Sequence, residues 1–176
     1  MHGLIAVNDA DHFALFGLPR RFALDSAALD AAWKRVSVAV HPDRFATASP
    51  AEKRVAMQWS SRANEAYRVL RDPLTRARYL CELAGVDLQS ETNTAMPAEF
   101  LMRQMQWHER LDELQDQGDA AGLATLSAEL AAERKVLTAQ LGRLLDQGDY
   151  TGAGAQVREW MFLDRIAAQA RAANPA

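Results

Sequence analysis

Apolar residues recur every three or four positions along most of this chain, and that spacing limits the fold more than any other feature of the sequence. One such series is Leu29, Trp33, Val36 and Val40. Residues at these intervals share one face of an α-helix. Gly and Pro are scarce inside the periodic segments, and no run of alternating β-branched residues is long enough to predict a strand. The sequence therefore predicts an all-α protein.

Capping residues and prolines divide the first half of the chain into four helices. The clearest start signal is Ser49-Pro50-Ala51-Glu52, which combines an N-cap serine, a proline at the first helical position and a glutamate placed to cap in return. Pro42 ends the preceding helix, because the residue before a proline is pushed out of the α region. The predicted helices are a short one ending at Gly17, one over about 26–40, one over about 50–70 and one from Pro73 to Gly85. The expected apolar face of the third helix is Val55, Trp59, Ala63, Ala66 and Leu70.

The second half of the chain predicts an antiparallel three-helix bundle. Its helical segments lie at about 97–116, 120–147 and 151–172. The phrase DQGD occurs at both junctions, and each copy supplies a glycine that ends one helix and an aspartate that can cap the next. Residues 86–97 lack periodicity and hold Asn, Thr, Ser and Pro, which is typical of a linker. The predicted organisation is a first domain at 10–85, a short linker at 86–97 and a bundle at 98–173.

Charge differs between the two halves and limits the partners. Residues 1–86 carry 12 Lys and Arg against 9 Asp and Glu, a net of +3, whereas residues 87–176 carry 8 against 14, a net of −6. An acidic second half argues against a nucleic-acid partner there. A mildly basic first half permits an acidic protein partner.

Other simple features point to a soluble protein in a reducing compartment. Cys81 is the single cysteine, which excludes an internal disulfide and a zinc site built on paired cysteines. The N-terminal segment lacks the basic region followed by an apolar region that is typical of a signal peptide. No stretch approaches 18 uninterrupted apolar residues. We therefore expect a cytoplasmic protein that does not span a membrane, with residues 1–10 disordered.

His41-Pro42-Asp43 places two reactive side chains around a helix-ending proline. A histidine and an aspartate two residues apart are candidates for an orienting acid–base pair. However, the sequence has no phosphate-binding glycine loop and no GxSxG turn that would complete an active site. The four histidines also lack the spacing of a metal site. We therefore expect no catalytic residues, metal or cofactor, which leaves a solvated loop histidine or a surface signal for a partner.

Pro42 favours the surface signal, because proline stiffens the loop and removes one backbone donor. A rigid loop loses less entropy when a partner binds it. His41 and Asp43 would then present a donor, an acceptor and a charge at fixed positions. The tripeptide is thus better suited to recognition than to catalysis.

The predicted helix that begins near Pro97 has apolar residues on two sides. One side, sufficient as a core face, holds residues within about 40° of one line: Phe100, Trp107, Leu111 and Leu114. The other side combines apolar and acidic residues: Leu101, Met102, Met105, Glu109, Asp112 and Glu113. An apolar patch beside carboxylates has the composition of a binding surface, to which methionine lends adaptability. Patterning alone leaves open the alternative that another helix or the first domain covers Leu101 and Met105.

The first half of the sequence resembles the J-domain, the module that activates the ATPase of DnaK-type chaperones. J-domains also place His-Pro-Asp between two antiparallel helices, and NEAYRVLRDPLTRARYL (64–80) is similar to their closing segment. The resemblance covers residues 10–84. The chaperone-binding residues that it implies are His41, Pro42, Asp43, Lys34, Arg35 and Arg44. This sequence departs from the family because Ser37, Val38 and Ala39 are uncharged, so we expect modest electrostatic steering.

Over nearly its whole length the sequence resembles the HscB family of iron–sulfur co-chaperones. The similar segments are FALFGLP (13–19), HPDRFA (41–46), PLTRARYL (73–80), FLMRQM (100–105) and REWMFLDRI (158–166). The resemblance implies that the bundle binds the cluster scaffold IscU and that the protein delivers it to the chaperone HscA. The implied scaffold-binding residues are Leu101, Met102, Met105, Gln106, Glu109, Glu113 and Phe162. Gln106 is a departure, because the family commonly has a carboxylate there.

The leading hypothesis is therefore a non-enzymatic co-chaperone of iron–sulfur cluster assembly. It would capture IscU with the bundle and stimulate ATP hydrolysis by HscA through the His-Pro-Asp loop. A general J-domain co-chaperone for unfolded clients is one alternative. A purely structural helical adaptor is the other.

Overall fold

The fold is described from a computed structural model, which covers residues 11–88 and 96–173. All regular elements in these residues are helical, as the apolar spacing predicts. They are α1 (His12–Phe16), α2 (Ser26–Ala39), α3 (Pro50–Arg71), α4 (Pro73–Leu83), α5 (Ala98–Gln117), α6 (Ala120–Asp146) and α7 (Tyr150–Ala173), with a 3₁₀ turn at Pro42–Phe45. The predicted disorder of residues 1–10 and the middle of the predicted linker, residues 89–95, lie outside the described residues.

The chain forms two compact units that divide between Leu80 and Cys81, inside α4. Residues up to Leu80 form the first unit, and residues from Cys81 onward form the second. Part of the predicted linker packs within the second unit: Leu88 is buried, and a Cβ added to Gly154 of α7 would meet Val86 at 2.8 Å. Gly154 therefore permits the close approach of this segment to α7.

The first unit is built on the antiparallel pair α2 and α3. Its core combines aromatic and small residues, and includes Phe13, Phe16, Phe22, Leu29, Ala63, Ala66 and Leu70. Trp33 of α2 contacts two residues of α3. Its ring stacks on that of Tyr67, with centroids 4.8 Å apart, and its indole N–H donates to Asn64 Oδ1 at 3.1 Å. The Tyr67 hydroxyl in turn donates to Asp30 at 2.7 Å. These bonds hold the two helices that flank the His-Pro-Asp loop.

The predicted apolar face of α3 is wrong at its first position. Val55 is 48% exposed, whereas Ala56 is buried in its place. The buried residues Ala56, Ala63 and Leu70 repeat at intervals of seven, which keeps them on one face, and Val55 lies about 100° off that line. The small side chain of Ala56 permits close packing at this end of α3.

Helix ends in the first unit match the sequence signals. Ser49 Oγ accepts from the Glu52 N–H at 3.3 Å, and Glu52 Oε2 accepts from the Ser49 N–H at 2.9 Å, which completes the predicted capping box. Gly17 ends α1 in the left-handed region, with φ of 66°. These local contacts fix where α3 begins and therefore how long the loop before it is.

The second unit is the predicted three-helix bundle of α5, α6 and α7. Its fully buried core is aliphatic and aromatic, and includes Phe100, Leu126, Leu130, Leu141, Val157, Leu163 and Ile166. Both DQGD turns act as predicted. Their glycines, Gly118 and Gly148, have φ of 63° and 77°, while Asp119 and Asp149 each accept from a backbone N–H three residues on at 2.9 Å.

Candidate partner-binding sites

The His-Pro-Asp loop is an exposed, locally bonded turn at the end of α2. His41 has extended backbone angles and precedes the 3₁₀ turn, and its Nδ1 accepts from the Asp43 N–H at 3.3 Å. In neutral His41 this bond places the ring proton on Nε2, which is then a free donor. The side chains of His41 and Asp43 are 57% and 89% exposed. The loop therefore presents a donor and a carboxylate to solvent in a fixed relation.

Three predicted basic residues lie exposed around this loop. Lys34 and Arg35 are on α2, and Arg44 is in the 3₁₀ turn. Arg44 donates to the Val38 carbonyl at 3.4 Å, which ties the turn back to the end of α2. The structure thus places these cations in the same unit as His41 and Asp43.

The sequence reasoning missed apolar neighbours of the loop. Val38 and Met57 are both exposed large hydrophobic residues. Met57 lines an open groove of about 380 Å³ together with Asp43, Ala46 and Lys53. Val38 lies outside the apolar stripe of α2, and Met57 lies outside that of α3, so a periodicity argument had no reason to select them. The loop is consequently bordered by apolar as well as charged surface.

The described residues bear on two chemical alternatives to recognition, a metal site and a cysteine nucleophile. Within residues 11–88 and 96–173, no cluster of three or more His, Cys, Asp or Glu side chains is placed to hold a metal ion. Burial raises the pKa of the Cys81 thiol to about 11, so this cysteine stays protonated and is a poor nucleophile.

The second candidate surface is the outer face of α5, where the two predicted methionines are exposed. Met102 is 58% exposed and Met105 is 63% exposed. Leu101 is half-buried. The three predicted polar residues, Gln106, Glu109 and Glu113, are all exposed. At 100° per residue these six positions fall within an arc of about 140°, so α5 brings them together on one face, here called the α5 face.

Phe162 of α7 lies at the border between α7 and α5. It is half-buried, and its ring contacts Phe100 and His108 edge to face, with centroids 6.2 and 5.6 Å away. Such pairs fix the orientation of both rings. Phe162 therefore packs α7 against α5 and leaves part of its ring accessible beside the α5 face.

No helix in the described parts of the chain is long and apolar enough to cross a membrane.

An exposed His-Pro-Asp loop between two antiparallel helices, in a chain that also carries a three-helix bundle, defines a J-domain co-chaperone. The family model for the HSCB C-terminal oligomerisation domain matches residues 96–171. A co-chaperone protein HscB homolog from Bordetella petrii is 63% identical over 167 residues, which cover 94% of this chain and 97% of that protein. The chain therefore belongs to the HscB family of co-chaperones.

Solved structures agree with this assignment. The chaperone HscB from Vibrio cholerae has a TM-score of 0.81 and 32% identity, covering 92% of this chain and 96% of that one. The human co-chaperone protein HscB has a TM-score of 0.88 and 27% identity, covering 94% and 82% of the two chains. The helical J-domain and C-terminal bundle predicted from the sequence are thus confirmed.

Proposed function

We propose that this protein carries an IscU-type iron–sulfur scaffold protein to an HscA-type chaperone in the cytoplasm and stimulates the ATPase of that chaperone. Cluster transfer from the scaffold would follow from closure of the chaperone on it. The observation that carries the proposal is the exposed pair Met102 and Met105 among carboxylates on α5. Exposed methionines at the centre of a helix face cost solubility unless a partner covers them.

The chemistry of the α5 face fits a protein partner with apolar anchors and basic side chains. Methionine is flexible and polarizable, so Met102 and Met105 can fill irregular pockets on a folded partner. Glu109 and Glu113 add negative charge beside them, which favours a partner with Lys or Arg at its rim. Gln106 contributes amide hydrogen bonding in place of a charge. The carboxylates and the amide beside the methionines add polar contacts that can select among partners.

The His-Pro-Asp loop supports the second half of the proposal. The His41 ring and the Asp43 carboxylate are close together, with Nδ1 and Oδ2 3.5 Å apart, and the Asp43 N–H bond to Nδ1 preorganises them. A preorganised loop can bind one state of a chaperone more tightly than another, and only such a difference shifts a conformational equilibrium. ATP hydrolysis itself would use residues of the chaperone. The exposed cations Lys34 and Arg35 would assist by attraction to an acidic chaperone surface.

Two measurements with the intact protein test the two halves separately. Calorimetric titration of an IscU-type scaffold should give saturable one-to-one binding. Single-turnover ATP hydrolysis by an HscA-type chaperone should accelerate when this protein is added. If ATP hydrolysis accelerates but the scaffold does not bind, the protein is a general J-domain co-chaperone. If neither acceleration nor binding is observed, the structural-adaptor interpretation remains and the proposal is wrong.

A further inference from the structure

Arg103 lies on α5 between the two exposed methionines in sequence, and its side chain, which is 44% exposed, reaches α6. Its guanidinium forms an ion pair with Glu133 of α6, with Nη1 and Oε1 2.5 Å apart. The same group lies over the rings of Phe100 and Trp107, 5.7 Å from each centroid. Arg103 therefore joins the core side of α5 to the neighbouring helix directly behind the α5 face.

A buried carboxylate lies close to this ion pair. Glu159 of α7 is only 7% exposed, which is unusual for a glutamate. Burial raises its pKa above the ordinary value, the positive charge of Arg103 opposes that change, and the negative charge of Glu133 adds to it. Arg103 from α5 and Glu133 from α6 are thus the charged groups that face Glu159.

The three charges belong to three different helices, and only Arg103 among them is positive. Without the positive charge of Arg103, the negative charges of Glu133 on α6 and Glu159 on α7 would repel each other where α5 packs against these two helices. The rings under the guanidinium would also lose their cation contact. Glu159 precedes Phe162 by one turn of α7. A displacement of α7 at Glu159 would therefore also move the Phe162 ring, which borders the α5 face.

We propose that Arg103 is a positioning residue for scaffold binding, which holds α5 against α6 and α7 by offsetting the charges of Glu133 and Glu159, so that Met102 and Met105 are presented on a fixed helix. This inference rests on the proposed function. A fixed helix loses less conformational entropy when the partner binds. Arg103 itself need not touch the scaffold.

The decisive experiment compares scaffold affinity by calorimetry for the intact protein and three variants. Arg103→Leu retains apolar contact with the rings but removes the charge, and we expect a loss of affinity of about tenfold at neutral pH. Adding Glu159→Gln to Arg103→Leu should restore affinity to within about twofold of the parent protein. Glu159→Gln alone should bind like the parent.

The loss of scaffold affinity in Arg103→Leu should also depend on pH. In Arg103→Leu the pKa of Glu159 rises further, because its facing cation is gone. Lowering the pH favours protonation of Glu159 and relieves its repulsion with Glu133, so the affinity of the variant should approach that of the parent as the pH falls. A purely steric role for Arg103 would leave the ratio of the two affinities independent of pH.

Arg110→Leu is the matched control. Arg110 also lies on α5 and pairs with a carboxylate of α6, Glu129, at 2.5 Å, and the two arginine side chains are similarly exposed, at 44% and 41%. Because Glu159 faces Arg103, we expect Arg110→Leu to change affinity less than twofold and independently of pH. Equal losses in Arg103→Leu and Arg110→Leu, or a loss that Glu159→Gln does not relieve, would overturn the inference.

Amide hydrogen exchange separates failure of this inference from failure of the proposed function. In the absence of any partner, Arg103→Leu should speed exchange in α5, and Glu159→Gln in the same chain should reverse the change. If the parent protein does not bind the scaffold, the proposed function fails, and the exchange result alone decides whether Arg103 fixes α5. Unchanged exchange in α5 would refute the positioning role. If Arg103→Leu does not fold, Arg103→Lys provides the test, with the charge retained and affinity expected within about threefold of the parent.

Discussion

The two candidate surfaces of this protein are built in different ways. The His-Pro-Asp loop depends on a few consecutive residues, because a proline, a 3₁₀ turn and the bond from the Asp43 N–H to His41 set its shape. The α5 face depends on a whole bundle, because only burial of Phe100 and its neighbours decides which side of α5 remains outside. A local signal tolerates damage elsewhere in its unit better than a surface that tertiary packing creates.

The surfaces also differ in the type of interaction they offer. The loop carries a histidine and a carboxylate, and the same unit exposes the cations Lys34, Arg35 and Arg44, so salt should weaken the electrostatic attraction to its partner. The α5 face centres on apolar Met102 and Met105, whose burial is much less sensitive to salt. We therefore expect salt to weaken binding at the loop more than binding at the α5 face.

The largest expected effect on chaperone stimulation is its loss in His41→Gln. Glutamine cannot reproduce the imidazole that accepts from the Asp43 N–H while presenting an Nε2–H donor. We expect stimulation of single-turnover ATP hydrolysis to fall by at least about tenfold. Scaffold affinity should not change, since the α5 face lies in the other unit.

Circular dichroism and a neighbouring variant control this result. His41 is exposed, so His41→Gln should retain full helicity. Thr47→Ala, at another exposed position in the same loop region, should stimulate normally. Loss of helicity in His41→Gln, or equal loss of stimulation in Thr47→Ala, would show that the loop acts as structure rather than as a signal.

A second prediction compares the cores of the two units. Phe100→Ala removes a fully buried ring from the bundle and should lower the free energy of unfolding of the second unit by about 3–5 kcal/mol. Scaffold binding should weaken with it, while stimulation by the first unit persists. Phe13→Ala, at an equally buried ring in the first unit, should leave scaffold binding intact and reduce stimulation less than Phe100→Ala reduces scaffold binding, because local bonds set the loop. Hydrogen exchange resolved by peptide, together with both binding assays, checks this pair, and identical losses in both assays would contradict the separation of the two surfaces.

The features that the sequence predicts best are those determined by short-range interactions. The Ser49–Glu52 capping box and the glycines at 118 and 148 act through neighbours within a few residues, so their sequence signals transfer directly to structure. Patterning leaves open whether another helix or the first domain covers Leu101 and Met105. Met105 is 63% exposed, whereas Leu101 is half-buried.

The features that the sequence does not predict arise from long-range packing. Val55 looks like a core residue by spacing, but the approach of other elements to α3 selects Ala56 instead. Glu159 looks like an ordinary surface glutamate, and only the arrangement of three helices buries it beside Arg103 and Glu133. Periodicity identifies which face is apolar but not how closely a neighbouring helix approaches it.

A third prediction tests the α5 face itself. Met102→Ala and Met105→Ala should each weaken scaffold affinity by about 1–2 kcal/mol, or about fivefold to thirtyfold. The free energy of unfolding should hardly change, because both side chains are exposed. These two positions separate binding from stability better than Leu101, which is half-buried.

Val136→Ala is the matched control for the methionines. Val136 is another exposed apolar residue of the bundle, on α6. It should leave scaffold affinity unchanged in the same calorimetric titration. If the methionine variants bind as tightly as the parent, or if Val136→Ala weakens binding equally, the α5 face is not the specific surface.

The smallest expected effect concerns the start of α3, where the loop ends. The pKa of Glu52 lies below its ordinary value of 4.5, because its carboxylate accepts hydrogen bonds from the Ser49 N–H and hydroxyl. The Glu52 carboxylate therefore binds a proton less tightly in the folded state than in the unfolded state. Its contribution to stability is present above pH 4.5 and is lost as the pH falls below that value. Glu52→Gln should slightly lower the thermal midpoint of the first unit at neutral pH and not in acid. Glu99→Gln, at the start of α5 where Pro97 makes no side-chain cap, should lack this pH dependence. If the two variants respond alike to pH, then the capping box does not distinguish the start of α3 from that of α5, and local bonding is no more important beside the loop than beside the α5 face.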